Sequence, residues 1–224
     1  MATFMFLHGA GGSAADWDLL RAELHALGHD TRAVDLPSDD DTAGLADHTQ
    51  VVVDALADSP PELVVVAQSL AGFVGPLVCT QVHVDLLVLL TAMIPSPGET
   101  GGEWWERSGH RAALAAQDLP DHTDETLFFH DVPPDVLAAS APPRDQSGTP
   151  LEEPWPLSAW PDVRTRFLLC RDDRFFPAAW MRELARARLP RDAVIEEVPG
   201  SHCAYLSQPH ALADALHRAW LAPR

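Results

Sequence analysis

Three residue types in this 224-residue chain fit nucleophilic acyl transfer, and each lies just past an apolar run with β-strand character. Ser69 follows "VVVAQ", a pair of aspartates at 172 and 173 follows "RTRFLLC", and His202 lies in "PGSHC" after "AVIEEV". A serine hydroxyl is a weak nucleophile near neutral pH and needs an adjacent base. A histidine can take its proton and return it to the leaving group, and an aspartate can hold the imidazole in the required tautomer. The carbonyl oxygen under attack becomes an oxyanion, which needs N–H donors already in place. A fourth stretch, "LHGAGG" at 7–12, offers a glycine-rich loop that could bring backbone close to a substrate. Taken singly these signals are weak. A serine between a strand and a helix is more often a cap, and His202 is one of 11 histidines. Their shared position after strands is what raises them.

The elements that must position them read as alternating strands and helices. Apolar runs at 3–7, 31–37, 62–68, 84–94, 164–170 and 193–199 read as strands, and the unbroken valines of the third suit a parallel sheet covered on both faces. Helical spacing marks 13–28, with Ser13 as its cap and Gly28 as its stop, part of 39–59, then 70–82, 177–189 and 210–222. Trp17 fits the buried face of the first of these. This alternation predicts an α/β fold with a doubly wound, mostly parallel sheet of about six strands. In such a sheet all strand C-termini face one edge, so the four stretches can converge. Residues 95–161 break the rhythm with prolines, aromatics and acids, and carry helical stretches at 103–117 and 124–130 together with the stretch "PPDVLAAS" at 133–140. They read as a small helical cap inserted into a single domain spanning 1–224, above the active edge.

Composition narrows the function. The net charge of −18 disfavours nucleic acid and anionic membranes as partners. The chain has no lysine, which excludes Schiff-base chemistry, Ser-Lys dyads and a Walker-type phosphate loop. Cys79, Cys170 and Cys203 have neither a disulfide pattern nor zinc-ligand spacing, and no metal or cofactor is expected. The N-terminus lacks the basic region of a secretory signal, and the longest apolar run, 86–94, is too short to span a membrane. A cytoplasmic protein acting on a small molecule is the expectation; the oligomeric state is open.

In order, "FMFLHGAGG", "VVVAQSLAG", "LFFHDVPPDVLAASAP", "LLCRDDRFFP" and "PGSHCAYLSQP" resemble the small branch of the α/β-hydrolase family that includes plant methylesterases, hydroxynitrile lyases and bacterial esterases. The resemblance covers nearly the whole chain. It implies a triad of Ser69, Asp173 and His202, with the backbones of Ala10 and Leu70 as the oxyanion hole. Asp173 is favoured over Asp172 because the family's acid tends to lie four residues before a proline, here Pro177. The chain departs from the G-x-S-x-G nucleophile turn, having Ala67 and Ala71 for its glycines, although Gly72 stands nearby. Alanine is the smallest replacement available, so the serine is still expected to serve. Trp104, Trp105, Phe128 and Phe129 are candidates for an apolar substrate pocket. His8 is expected to fix the loop after the first strand, Cys203 to pack, and His110, His122 and His130 to be polar surface. Gln68 has no assigned role. The implied activity is serine hydrolysis of a small, apolar carboxylic ester through an acyl-enzyme. A non-catalytic small-molecule binding protein is the alternative, favoured by the altered turn. Hydroxynitrile lyase activity is weaker, because that branch uses a lysine by the histidine and a threonine in the first loop, where this chain has Cys203 and Ala10.

Overall fold

Six parallel strands form one sheet in the order β2-β1-β3-β4-β5-β6. A computed structural model describes residues 1–58 and 60–223. The strands are β1 (Thr3–Leu7), β2 (Asp30–Val34), β3 (Leu63–Gln68), β4 (Leu86–Leu90), β5 (Thr165–Cys170) and β6 (Val194–Val198). Every residue of β1, β3 and β4 is buried. That is why their sequences are continuous apolar runs rather than alternating ones. The two faces still differ. Phe4, Phe6, Val64, Val66, Val88 and Leu168 pack with Leu20, Leu24, Leu212 and Leu216, from α1 (Asp18–Ala26) and α11 (Pro209–Leu221). Met5, Leu7, Val65, Leu87, Leu89 and Phe167 pack on the opposite face. Their partners include Val52, Val78 and Met181, from α2 (Leu45–Ala55), α3 (Gly75–Val78) and α9 (Ala178–Arg188). Each fully buried side chain of this size contributes about 1.5–3 kcal/mol of transfer free energy. Trp17 is wholly buried, its ring 4.8 Å from Phe6 and 4.7 Å from Tyr205.

Several local expectations are corrected. Residues 70–82 do not form one helix. Ser69–Phe73 is a 3-10 turn, followed by the short α3. Pro76 has no N–H and is tolerated only in a first turn, so the helix restarts around it. The stretch 103–117 is two helices, α4 (Gly101–Arg107) and α5 (His110–Ala115), because Gly109 adopts φ 77° and turns the chain between them. Of the further helices between β4 and β5, α6 (Asp124–Phe128) lies within an expected helical stretch, whereas α7 (Pro134–Ala139) and α8 (Thr149–Glu152), like α10 (Ala204–Ser207) after β6, were not foreseen. Within 39–59 the helix is α2 alone, and Ser59 lies outside the described residues. The strand expected to reach 94 stops at Leu90, since Thr91 leaves extended geometry at φ 38°. Among the described residues no helix is long and apolar enough to cross a membrane.

Candidate active site

Loops after β1, β3, β4, β5 and β6 meet at one edge of the sheet, because every strand runs the same way. Ser69 follows β3 directly and has φ 52°, a left-handed backbone that a residue with a Cβ rarely adopts. Its carbonyl accepts from Met93 N–H at 2.8 Å, which ties the turn to the chain leaving β4. Close packing explains where glycine is required here. A Cβ on Gly72 would overlap the Met93 carbonyl, so the bare position beside β4 is 72 rather than 71. A Cβ on Gly75 would stand 2.8 Å from the Ala67 methyl. The extra methyl at 67 is therefore accommodated by a glycine in the helix opposite.

His202 and Asp173 form a buried pair, each 3 % exposed, with His202 Nδ1 and Asp173 Oδ2 2.8 Å apart. The second carboxylate oxygen, Oδ1, accepts the N–H groups of Phe175 at 2.9 Å and Phe176 at 2.8 Å. The same two residues pack their rings on the imidazole, with centroids 5.2 and 5.1 Å away. Phe128 closes a third side at 5.3 Å. The hydrogen bond at Nδ1 leaves Nε2 as the free ring nitrogen of His202. Asp172 points elsewhere. It pairs with the Arg171 guanidinium, which holds its carboxyl below the usual range, and accepts Gly200 N–H at 3.1 Å.

The Ser69 half is wired differently. The Ser69 hydroxyl bonds to no other described residue. Ser69 and His202 are bridged through Gln68, whose Nε2 donates to the His202 carbonyl at 3.4 Å. A Cβ on Gly9 would overlap Gln68 Oε1 and stand 2.8 Å from Ser69 Cβ, so the first loop lies directly on the turn. His8 holds that loop: Leu36 N–H donates to its Nε2 at 3.0 Å, so its Nδ1–H donates to the Gly9 carbonyl at 2.8 Å. Burial lowers the pKa of this imidazole and keeps it neutral. The amides of Ala10 and Leu70 donate to no other described backbone.

The remaining candidates fall at different depths. Phe128 faces His202, and Phe129 lies beside it at 6.1 Å. Trp105 contacts Phe175 at 5.9 Å and lines a cavity of about 570 Å³ with Glu106, His110, Arg111 and Leu114. Trp104 has no exposed surface and donates to the Ile94 carbonyl, so it backs this layer. His110 is not polar surface as expected. It is 6 % exposed and bonds the Phe175 carbonyl through Nε2 at 2.7 Å. His130 bonds the Asp172 carbonyl, while His122 is exposed. Cys203 accepts from Tyr205 and packs inside, its thiol pushed up to about 12 by burial. Thr91, Phe175, Phe176 and Gln68 were missed as site-forming residues. Two act through backbone amides, which have no signature of residue type. Among the described residues no group of three or more His, Cys, Asp or Glu side chains could hold a metal ion.

A parallel sheet whose edge gathers a serine in a left-handed turn and a buried Asp–His pair is the arrangement of the α/β hydrolases. A family model described as "Alpha/beta hydrolase family" matches residues 4–215, and the chain belongs to that family. It is similar to a pyrethroid hydrolase of Sphingobium wenxiniae, 26 % identical over 245 residues covering 95 % of this chain and 85 % of that one. Among solved structures it superposes on a pyrethroid hydrolase from Sphingobium faniae with a TM-score of 0.79, at 21 % identity over 99 % of this chain and 98 % of that one. A methylesterase from Arabidopsis gives a TM-score of 0.75 at 22 % identity, over 98 % of both chains.

Proposed function

We propose that this protein is a serine hydrolase that cleaves a small, mainly apolar carboxylic ester through an acyl-enzyme. The observation that carries the reading is the buried Asp173–His202 pair at the same sheet edge as Ser69 in its left-handed turn. His202 Nε2 takes the proton of Ser69 Oγ as the oxygen attacks the ester carbonyl. Asp173 fixes the imidazole and stabilises its protonated form. The amides of Ala10 and Leu70 receive the oxyanion, and neither donates to another described backbone group. The imidazolium then protonates the leaving alcohol. Water, activated by the same nitrogen, releases the acid and restores Ser69. As proposed, the reaction uses only these side chains and backbone amides and calls for no metal or organic cofactor.

Residues 95–161 act as the cap. Ser201 donates to the Phe128 carbonyl and His130 reaches the Asp172 carbonyl, so this segment is bonded to both the histidine and the aspartate loops. The half-exposed rings of Phe128, Phe129, Trp105 and Phe175 give the site an apolar wall, which suits an apolar substrate. The names of the relatives, pyrethroid hydrolase and methylesterase, agree with ester cleavage. Three free cysteines suit a reducing, cytoplasmic setting.

Short-chain p-nitrophenyl esters and a fluorophosphonate label test the assignment. Ser69→Ala is expected to lower kcat by on the order of 10⁶-fold and abolish labelling, with thermal unfolding little changed. Labelling retained in that variant refutes Ser69 as nucleophile. Ester binding by the wild type without turnover or labelling makes the protein a binding protein.

A further inference from the structure

Thr91 stands one residue past β4, has no exposed surface, and takes φ 38°. A β-branched residue at positive φ is a true outlier, and such strain persists only where the surroundings hold it in place. Its amide is held by the Leu168 carbonyl at 2.8 Å. Its hydroxyl lies 2.6 Å from Asp173 Oδ2. That is the same oxygen His202 Nδ1 contacts at 2.8 Å. A carboxylate can only accept, so the Thr91 hydroxyl donates. We propose that Thr91 is a positioning residue, whose hydroxyl aims Asp173 Oδ2 at His202 and sets how much negative charge that oxygen offers the imidazole.

Asp173 then accepts four hydrogen bonds, two on each oxygen. The two on Oδ1 come from backbone amides and do not depend on the side chains of Phe175 and Phe176. On Oδ2, apart from the bond to His202 itself, the Thr91 bond is the one that a side-chain change can delete. Each donor draws off part of the carboxylate's charge. Without this donor more charge faces the imidazolium, which favours the protonated ring. The carboxylate is also freer to turn about its own axis.

Other ionisable groups lie near the pair: His110 from α5, Cys170 from β5 and Cys203 from the chain after β6. Asp131, from the segment between α6 and α7, and Asp172 border these thiols, and Asp172 itself is turned to Arg171. Burial keeps His110 neutral near pH 7 and both thiols protonated, while Asp172 stays charged beside Arg171. Replacing Thr91 changes none of these groups. A purely structural role, that of a core threonine with a satisfied hydroxyl, would affect stability and leave the titration of His202 alone.

The inference rests on the serine-hydrolase reading only for its kinetic arm. The direct arm follows the His202 ring by NMR in ¹⁵N-histidine protein, its signals assigned by their loss in His202→Gln. Thr91→Val is expected to move the ring's titration midpoint to higher pH by about half to one unit. The acid limb of kcat/KM on a p-nitrophenyl ester should move with it, and kcat should fall roughly tenfold or more with KM little changed. Thr91→Ser should restore both midpoint and rate, since it keeps the hydroxyl. If Thr91→Val does not fold, Thr91→Ala carries the same expectation. An unmoved midpoint in a folded Val or Ala variant overturns the proposal, as does a Ser variant that shifts as far as Val. A wild type inert to ester and fluorophosphonate, with the NMR shift present, refutes the hydrolase reading and leaves the role of Thr91 standing.

Discussion

The two corners of the site are held by different forces. At the Asp173–His202 corner four hydrogen bonds reach the carboxylate, and three aromatic rings pack on the imidazole. At the Ser69 corner the hydroxyl has no partner among the described residues, and position comes from backbone geometry and from which neighbours lack a Cβ. Directional bonds fail when a donor or acceptor is removed. A close-packed turn fails when an atom is added. The two corners should therefore respond to opposite kinds of substitution.

The largest contrast is at the acid. Asp173→Asn leaves the shape intact but removes the charge facing His202, and should lower kcat by about 10⁴-fold, as the corresponding change does in serine proteases. Asp172→Asn loses an exposed pair with Arg171 and should cost less than about tenfold. Steady-state kinetics of both variants on one activated ester decide the matter, and the reverse ranking would move the role to Asp172.

Adding an atom at the turn is the next test. Gly75→Ala would place a methyl 2.8 Å from Ala67 Cβ and 3.2 Å from Leu87 Cδ1. Overpacking of this kind costs about 1–3 kcal/mol, measurable as a lower urea midpoint. Ala67→Gly in the same chain should recover much of that loss, and the non-additivity would measure the contact. Alone, Ala67→Gly or Ala71→Gly should alter kcat by less than about tenfold, because the turn already has its geometry with alanine in place. A gain of several orders of magnitude would mark the present turn as defective.

The smallest effect concerns pH and spans both corners. Burial lowers the pKa of His8, under the first loop, and of His110, behind Phe175. Their folded values lie below the ordinary 6.5, so the unfolded chain binds more protons between the two. Their contribution is therefore complete above about pH 6.5 and is lost as pH falls through that window. Urea midpoints of the wild type should decline there, and His110→Gln should show a shallower decline. A parallel decline in that variant would mean that His110 is protonated alike in both states.

Much of the sheet was legible because a strand buried on both faces must be apolar along nearly all its length, as "LVVVA" before Gln68 and "LLVLL" are. The four strand-end stretches were legible for the same reason, since polar residues and glycines begin where those runs stop. Helix breaks were less so. Gly109 and Pro76 announce a disturbance, but whether a chain kinks, restarts or ends there depends on what packs against it. The burial of His110 was illegible, because it follows from the aromatic layer of Trp105, Phe175, Phe176 and Trp180 that folding assembles around it.

By itself the sequence determined the chemical repertoire and the alternation of elements, because side-chain chemistry and apolar periodicity are properties of the chain. It determined that a serine, two aspartates and a histidine would leave strands at one edge of a parallel sheet. Only the tertiary structure decided which aspartate meets the imidazole, since neighbouring side chains in a turn point in different directions and a spacing rule does not orient them. It alone recruited Thr91, an unremarked polar residue in "LVLLTAMI", to the oxygen that His202 touches. It also moved the requirement for glycine from positions 67 and 71 to 72 and 75, because steric need is set by the atoms across the gap, here Met93 and Ala67, and these lie beyond the reach of a local motif.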